Sequence, residues 1–347
     1  MRVARVVRET ADAVTLWLED PTGARITFLP GQFFTLLFSI YGDEHRRAYS
    51  ACSSARQSSS VCLTVKRVKD GVVSNHVNDV VRAGDVVHVL GPSGAFTITP
   101  DETAERRLVL LGGGSGITPL MSLARTVLAV EPHAHVALVI GNRGTLDIIF
   151  RDALAELVAA HSPRFTVRHV LSQPPASWDG GVGMLDRETI LSELLRTALA
   201  DDPRAEFFVC GPAPMMAAAR EALGTRGVPA SQIHEERFLS PHLRAAAAAK
   251  LQGKRIVAAS LVVRAGGKEH SLGAPSGRTV LEMGLAAGLP MPFSCAMGGC
   301  GACKVKVVSG TLEMEEPNCL TSDERARGYA LACIGCPTSD TVVELPR

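Results

Sequence analysis

Cys295, Cys300, Cys303 and Cys333 follow the spacing C-x4-C-x2-C…C, which suits a plant-type [2Fe–2S] cluster. A two-iron cluster needs thiolates converging on a small volume, so a loop that supplies most of them must curl tightly. The segment Ser294-Cys295-Ala296-Met297-Gly298-Gly299-Cys300-Gly301-Ala302-Cys303 is rich in glycine, and a backbone without Cβ atoms can aim its N–H groups at the inorganic sulfides. Zinc also accepts four thiolates, but structural zinc sites present them as two tight pairs, whereas here one ligand stands far from the other three. The spacing therefore points to a one-electron carrier, with Cys333 arriving from across the fold.

Four further segments carry groups suited to binding a nucleotide. Leu111-Gly112-Gly113-Gly114-Ser115-Gly116-Ile117-Thr118-Pro119 lies between an apolar run and a helical pattern, where backbone N–H groups and a helix dipole would face a pyrophosphate. It is not the G-x-G-x-x-G form, and by itself it is also compatible with a tight structural turn. Val209-Cys210-Gly211-Pro212-Ala213-Pro214-Met215 falls at another strand end of the same region. Arg46-Arg47-Ala48-Tyr49-Ser50 places a cation and an aromatic ring on one side of an extended strand, a pair suited to phosphate and to an isoalloxazine face. Lys69-Asp70-Gly71-Val72-Val73-Ser74-Asn75-His76 reads as a turn and a helix start, in which Ser74 either caps the helix or helps hold a diphosphate.

The elements that must position these groups change character along the chain. Up to about Thr99, short alternating runs (Val14–Leu18, Phe33–Phe38, Val61–Val68, Val86–Leu90) predict an antiparallel barrel or sandwich, with turns at Leu29–Gln32 and Gly91–Gly94. After Glu105 strands and helices alternate. Strands are expected at Arg107–Leu111, Val136–Ile140, Phe165–Leu171 and Glu206–Cys210, and helices at Pro119–Ala129, Arg151–His161, Arg187–Leu199 and Pro212–Leu223. Repeated units of this kind predict a doubly wound parallel α/β sheet. The alanine-rich stretch from Ser240 to Lys254 reads as a helical spacer at a domain boundary. Beyond it, Ile256–Val263, Lys268–Leu272, a helix around Thr279–Ala287, the cysteine loop and Val342–Leu345 make a small α+β domain. The expected division is a barrel at 1–100, an α/β domain at 101–240, a linker at 241–254 and an iron–sulfur domain at 255–347.

Composition narrows the function classes. The net charge of the 347-residue chain is +1 and no basic stripe stands out, so neither nucleic acid nor an anionic membrane is implied as a partner. No apolar run is long enough for a bilayer span, and Met1–Arg8 alternates basic and apolar residues rather than forming a signal-peptide core. The cysteines left after the cluster set (Cys52, Cys62, Cys210, Cys319, Cys336) show no disulfide pattern, which fits a reducing, cytoplasmic location.

Taken together, R-x-Y-S (Arg47 to Ser50), G-x-x-S (Gly71 to Ser74), G-G-G-S-G-I-T-P (Gly112 to Pro119), C-G-P-x-P-M (Cys210 to Met215) and H-E-E-R-F (His234 to Phe238) resemble, in the same order, the ferredoxin–NADP reductase superfamily. With a plant-type ferredoxin domain added, the resemblance covers nearly the whole chain. It is most similar to reductase components of multicomponent oxygenases, of the phenylacetyl-CoA epoxidase and ketosteroid hydroxylase types. The resemblance implies a flavin β-barrel, a nucleotide-binding α/β domain and a β-grasp ferredoxin domain. It implies FAD, with FMN as the variant found in sister reductases, together with NADH or NADPH and a [2Fe–2S] cluster on Cys295, Cys300, Cys303 and Cys333. Arg47, Tyr49 and Ser50, with Val65, Lys66, Gly71, Val73 and Ser74, match its flavin contacts. Gly113, Gly114, Thr118, Cys210, Gly211, Pro212 and Met215 match its nicotinamide-nucleotide contacts, and Glu236 and Phe238 its residues near the flavin. Cys210, Thr118 and Glu236 are the implied catalytic set.

Members that bind a 2′-phosphate often carry Ser-Arg where this chain has Ser172-Gln173; Arg143 and Arg187 are the residues able to compensate. The implied acceptor is a separate oxygenase or desaturase. The competing readings are an electron-transfer subunit of a stable dehydrogenase complex and a zinc-binding regulatory module.

Overall fold

The computed structural model describes residues 1–56, 59–238, 259–275, 277–293, 298–299, 301–314 and 318–346. The expected linker at 241–254 lies outside them, as do Cys295 and Cys300. Barrel and α/β sheet form one compact unit through Phe238, and the C-terminal part forms a second.

The barrel is built from β1 (Arg2–Thr10), β2 (Ala13–Glu19), β3 (Phe33–Ile40), β4 (Asp43–Ser50), β5 (Ser60–Lys66) and β6 (His88–Ser93), with helix α1 (Val72–Asp79) between the last two. Two sheets, β1-β2-β5 with both pairs antiparallel and β4-β3-β6 with β3 and β4 antiparallel, are joined by bridges Ala51 to Leu63 and Arg2 to Val86. Leu16, Leu18, Leu36, Leu63 and Val65 fill the interior with Val73 and Val77 of α1. Each gains roughly 1.5–3 kcal/mol by leaving water. The turn expected at Leu29–Gln32 forms, closed by Gln32 N–H to Leu29 O at 3.1 Å. The one expected at Gly91–Gly94 does not, because β6 runs on through Ser93. Gly91 serves close approach instead of turning: with φ +129, it lies where a Cβ would come within 3.2 Å of Phe33 O.

The α/β domain contains β7 (Arg107–Gly113), α2 (Ile117–Val130), β8 (His135–Asn142), α3 (Arg151–His161), β9 (Phe165–Leu171), β10 (Gly181–Val182), α4 (Arg187–Leu195), β11 (Ala205–Cys210), α5 (Ala213–Thr225) and β12 (Ile233–Glu236). Its strands are all parallel, in the order β10-β9-β8-β7-β11-β12. Alternate side chains of the central strands face opposite layers: Leu108, Leu110, Val136 and Leu138 pack with α2, whereas Val109, Leu111, Val139 and Val209 pack with α4 and α5. The order reverses at β7, so the crevice between the ends of β7 and β11 is a topological switch point. Helix α4 ends at Leu195, short of the expected Leu199. Thr197 bonds back to Glu193 O at 2.8 Å, and a 3-10 turn, Ala198–Asp201, follows.

The second unit holds β13 (Ala259–Ala265), β14 (Lys268–Ala274), α6 (Val280–Ala286), β15 (Lys304–Ser309), β16 (Leu312–Met314), α7 (Ser322–Ala326), β17 (Tyr329–Leu331), β18 (Gly335–Pro337) and β19 (Thr341–Glu344). A five-stranded sheet, β14-β13-β19-β15-β17, lies beside the pair β16-β18. Thr279 and Glu282 form a capping box that starts α6, whose Val280, Leu281 and Met283 enter the core. No helix among the described residues is long and apolar enough to cross a membrane.

Candidate functional site

Two loops meet where β7 and β11 end. A Cβ added to Gly116 would fall 2.0 Å from Cys210 O, and one on Gly113 would lie 2.8 Å from both Met215 Sδ and Pro212 Cδ. A Cβ on Gly211 would come within 2.6 Å of Met215 Sδ. Only glycine allows the loops to approach this closely. Thr118, in the first turn of α2, donates from Oγ1 to Ser115 O at 3.0 Å. In register, Cys210 lies opposite Gly112 on one neighbouring strand and opposite Glu236 on the other. The Cys210 side chain is fully buried, and burial, reinforced by the charge of Glu236, pushes its thiol well above the ordinary range. It is therefore a neutral S–H at physiological pH. Phe238, two residues past Glu236, is 45% exposed.

On the barrel side, β4 pairs with β3 so that Arg47 lies opposite Leu36 and Tyr49 opposite Phe34. Tyr49 packs against the barrel core; burial raises its phenol, with Arg47 pulling the other way. Arg47 donates from Nη1 to Arg46 O at 2.7 Å, and Ser50 is buried. Val65 and Lys66 end β5, and Asn78 of α1 donates to Val65 O at 3.2 Å, tying that strand end to the helix.

Ser74 is not the helix cap. The N-cap is Gly71, and no side chain caps α1, because Ser74, in its first turn, uses its Oγ to accept the Val68 N–H at 3.1 Å. A Cβ at Gly71 would lie 2.5 Å from that Oγ. Val73 is buried beneath the same turn. An uncapped helix start beside a glycine, with Lys66 at the adjoining strand end, is a donor set that fits a diphosphate.

The two halves touch at Gly114. Its φ is +53, and a Cβ there would be 3.7 Å from Lys66 Nζ. Lys66 Nζ in turn lies 3.9 Å from Asp12, and Asp12 lies 3.7 Å from the Arg143 guanidinium, which is also paired with Asp147. Asp12 had no signal in the sequence: it is a turn residue between β1 and β2, brought to this crevice only by the fold. Gln173 N–H donates to Arg143 O at 2.7 Å, so the two residues sit at adjoining strand ends. Arg187 is directed elsewhere, bonding Thr225 at 3.2 Å and Glu188 at 3.1 Å.

In the second unit, Cys303 and Cys333 are buried in one core cluster. Their segments are stitched by Ala332 N–H to Cys303 O at 2.9 Å, and Gly298 N–H donates to Cys333 Sγ at 3.1 Å. Gly298 and Gly301 have φ near +70, the left-handed curl that glycine permits. A buried thiol that accepts a backbone N–H from the glycine loop has the N–H to sulfur bonding of an iron–sulfur ligand.

Three family models match the chain in sequence: an oxidoreductase FAD-binding domain over residues 2–98, an oxidoreductase NAD-binding domain over 110–221 and a 2Fe-2S iron-sulfur cluster binding domain over 263–338. The chain is 38% identical to the ferredoxin reductase component of 3-ketosteroid-9-alpha-monooxygenase from Mycobacterium tuberculosis, over 99% of this chain and 94% of the relative. It is 34% identical to a 1,2-phenylacetyl-CoA epoxidase component from Escherichia coli, over 99% and 96%. Among solved structures, it is similar to a phthalate dioxygenase reductase described as modular, with a TM-score of 0.62 at 24% identity over 99% of this chain and 97% of that one. An Amycolatopsis cytochrome P450 reductase is similar over 68% of each chain, with a TM-score of 0.60 and 30% identity.

Proposed function

The chain belongs to the reductase components of multicomponent oxygenases, which join FAD-, NAD- and [2Fe–2S]-binding domains in one polypeptide, and from that premise we propose how its residues divide the work. It is an NAD(P)H-dependent flavin iron–sulfur oxidoreductase. When bound, FAD would supply the exchange between the two-electron hydride chemistry of NAD(P)H and the one-electron chemistry of a [2Fe–2S] cluster. The acceptor beyond the cluster is a separate oxygenase, and the chain works in the cytoplasm, where the buried thiols Cys52, Cys62 and Cys210 stay reduced.

In this reading Arg47, Tyr49 and Ser50 hold the flavin along β4. Val65, Lys66, Gly71, Val73 and Ser74 surround its diphosphate, with the first N–H groups of α1 as donors and Lys66 as a cation. Gly113, Gly114, Gly211, Pro212 and Met215 shape the slot for the dinucleotide, and Phe238 lies near the flavin at the end of the domain. Thr118 and Cys210 confine the nicotinamide. Cys210 does so as a neutral thiol, since a buried thiolate would be costly beside Glu236. Glu236 is the polar group available to hold or move a proton there. Cys295, Cys300, Cys303 and Cys333 are the cluster ligands. The working domains are 1–100, 101–240 and 255–347, joined by the linker 241–254.

The observation that carries this account is the convergence of Gly113–Thr118 and Cys210–Met215 at the switch point, with Lys66 of the barrel beside Gly114. Its test is the absorption spectrum of the purified protein. Flavin and sulfide-to-iron bands that bleach when NADH or NADPH is added anaerobically support it; a protein that stays colourless after reconstitution with flavin, iron and sulfide overturns it.

A further inference from the structure

Helix α2 is buried along most of its length, yet it carries Ser122, Arg125 and Thr126 on one face, and the two hydroxyl residues are almost fully inaccessible. Buried hydroxyls are unfavourable unless bonded, and a helix that served only to fill the core would carry alanine or leucine there. All three side chains find their partners in the barrel. Ser122 Oγ donates to Ser53 O at 2.8 Å, Arg125 Nη1 donates to Cys52 O at 2.8 Å, and Thr126 Oγ1 accepts the Ala55 N–H at 2.8 Å. Thr126 spends its own proton on Ser122 O at 2.7 Å, so its acceptor is aimed outward at Ala55.

Each partner is a backbone group of a single short segment, and that segment is itself bonded to strand β5 of the barrel. Cys52 N–H donates to Cys62 O at 2.9 Å, and Cys62 N–H to Ser53 Oγ at 3.1 Å. At its far end α2 is fastened again, where buried Glu131 accepts Arg106 Nε at 3.0 Å and Asp101 N–H at 3.2 Å from the segment that connects the two domains.

We propose that Ser122, Arg125 and Thr126 are positioning residues for hydride transfer, locking the nicotinamide loop to the flavin strand. The inference rests on the functional reading above. Thr118 opens the same helix about 12 Å from Thr126, at 1.5 Å per residue. On the barrel side, the clamped segment begins two residues after Ser50, the last residue of β4. One helix therefore connects the nicotinamide side to the flavin side through three directional bonds, which fix a single register where apolar packing alone would let the surfaces slide. Hydride transfer is sensitive to such offsets because its rate depends on close approach of the reacting atoms.

The test compares wild type with Thr126→Val, Ser122→Ala and the conservative Thr126→Ser. Amide hydrogen exchange, measured on the flavin-free chain, reads the clamp directly, and stopped-flow flavin reduction at saturating NADH or NADPH reads its consequence. In Thr126→Val and Ser122→Ala, exchange at residues 53–56 accelerates tenfold or more. The limiting reduction rate falls about tenfold, while the affinity for NAD+ or NADP+ stays within twofold. Thr126→Ser restores both rate and protection. If Thr126→Val does not fold, Ser122→Ala alone decides the matter. A limiting rate within twofold of wild type in a variant whose exchange has risen would overturn the proposal, as would exchange that does not change. A wild-type holoprotein that neither nucleotide reduces would instead strike the underlying reading.

Discussion

Replacing Gly116 with alanine drives a methyl group at a backbone carbonyl that cannot rotate away. The added Cβ would sit 2.0 Å from Cys210 O and 2.5 Å from Cys210 C, against a normal approach of roughly 3.5 Å between heavy atoms. The backbone of Gly116 lies at φ −62, so alanine pays no conformational penalty and the effect is purely steric. Relief requires the loops Gly113–Thr118 and Cys210–Met215 to part by more than about 1 Å, an overpacking cost of about 1–3 kcal/mol. Displacement of that size at a reacting centre lowers a rate by about 100-fold. Stopped-flow absorbance should show flavin reduction by NADH or NADPH slowed to that extent in Gly116→Ala, with flavin content and the iron–sulfur spectrum retained. Gly114→Ala is the control. Its Cβ meets only Lys66 Nζ, at 3.7 Å, so the substitution bears mainly the left-handed backbone penalty of about 1–2 kcal/mol. It should reduce the rate far less. If Gly116→Ala turns over like wild type, the two loops do not form the nicotinamide slot.

Three other outcomes are expected. Cys333→Ser should abolish the iron–sulfur signal while leaving flavin reduction by NAD(P)H intact, whereas Cys336→Ser should keep the cluster; electron paramagnetic resonance of the dithionite-reduced proteins distinguishes them, and the reverse pattern would mean Cys336 is the ligand. Gly71→Ala pushes a Cβ to 2.5 Å from Ser74 Oγ and should break its bond to Val68, so a fluorescence titration should show FAD bound about tenfold more weakly; unchanged affinity would remove this turn from the flavin site. Burial pushes Cys52 up to about 11 and Cys62 up to about 12, so both stay protonated in the folded state while unfolded thiols ionise near about 8.5. The resulting stability is fully present below that pH and is lost as pH rises toward the folded values, by about 1.4 kcal/mol per pH unit for each thiol. Urea unfolding at pH 8 and pH 10 should show a smaller alkaline loss in Cys62→Ala than in wild type, and equal losses would contradict it.

How much of this was legible in the sequence depended on where each element gets its stability. Helix Arg151–His161 and strand Phe165–Leu171 were readable to the residue, because their apolar spacing meets the sheet core directly. Strand β12 was not. Ile233-His234-Glu235-Glu236 has no apolar alternation and is a strand because it pairs in register with Phe207–Cys210 at the sheet edge. That pairing is also what sets Glu236 beside Cys210. The glycines of Gly112–Gly116 and Gly211 were visible as a motif, but the reason for the closest of them, the opposing Cys210 carbonyl and the Met215 sulfur, is a tertiary contact. Asp12 and the α2 clamp escaped for a related cause. Single polar residues in a turn or in an apolar helix acquire a role only from the backbone that folding brings opposite them.

The central claim is that paired reducing equivalents enter this chain and leave it one at a time. An anaerobic titration of the holoprotein with NADH and with NADPH, followed by absorbance and electron paramagnetic resonance together, tests it most directly. The account predicts that at least one nucleotide bleaches the flavin and also raises the signal of a reduced [2Fe–2S] cluster, complete near about 1.5 equivalents, two electrons for the flavin and one for the cluster. Full bleaching of the flavin with a cluster that stays silent under excess nucleotide would contradict it.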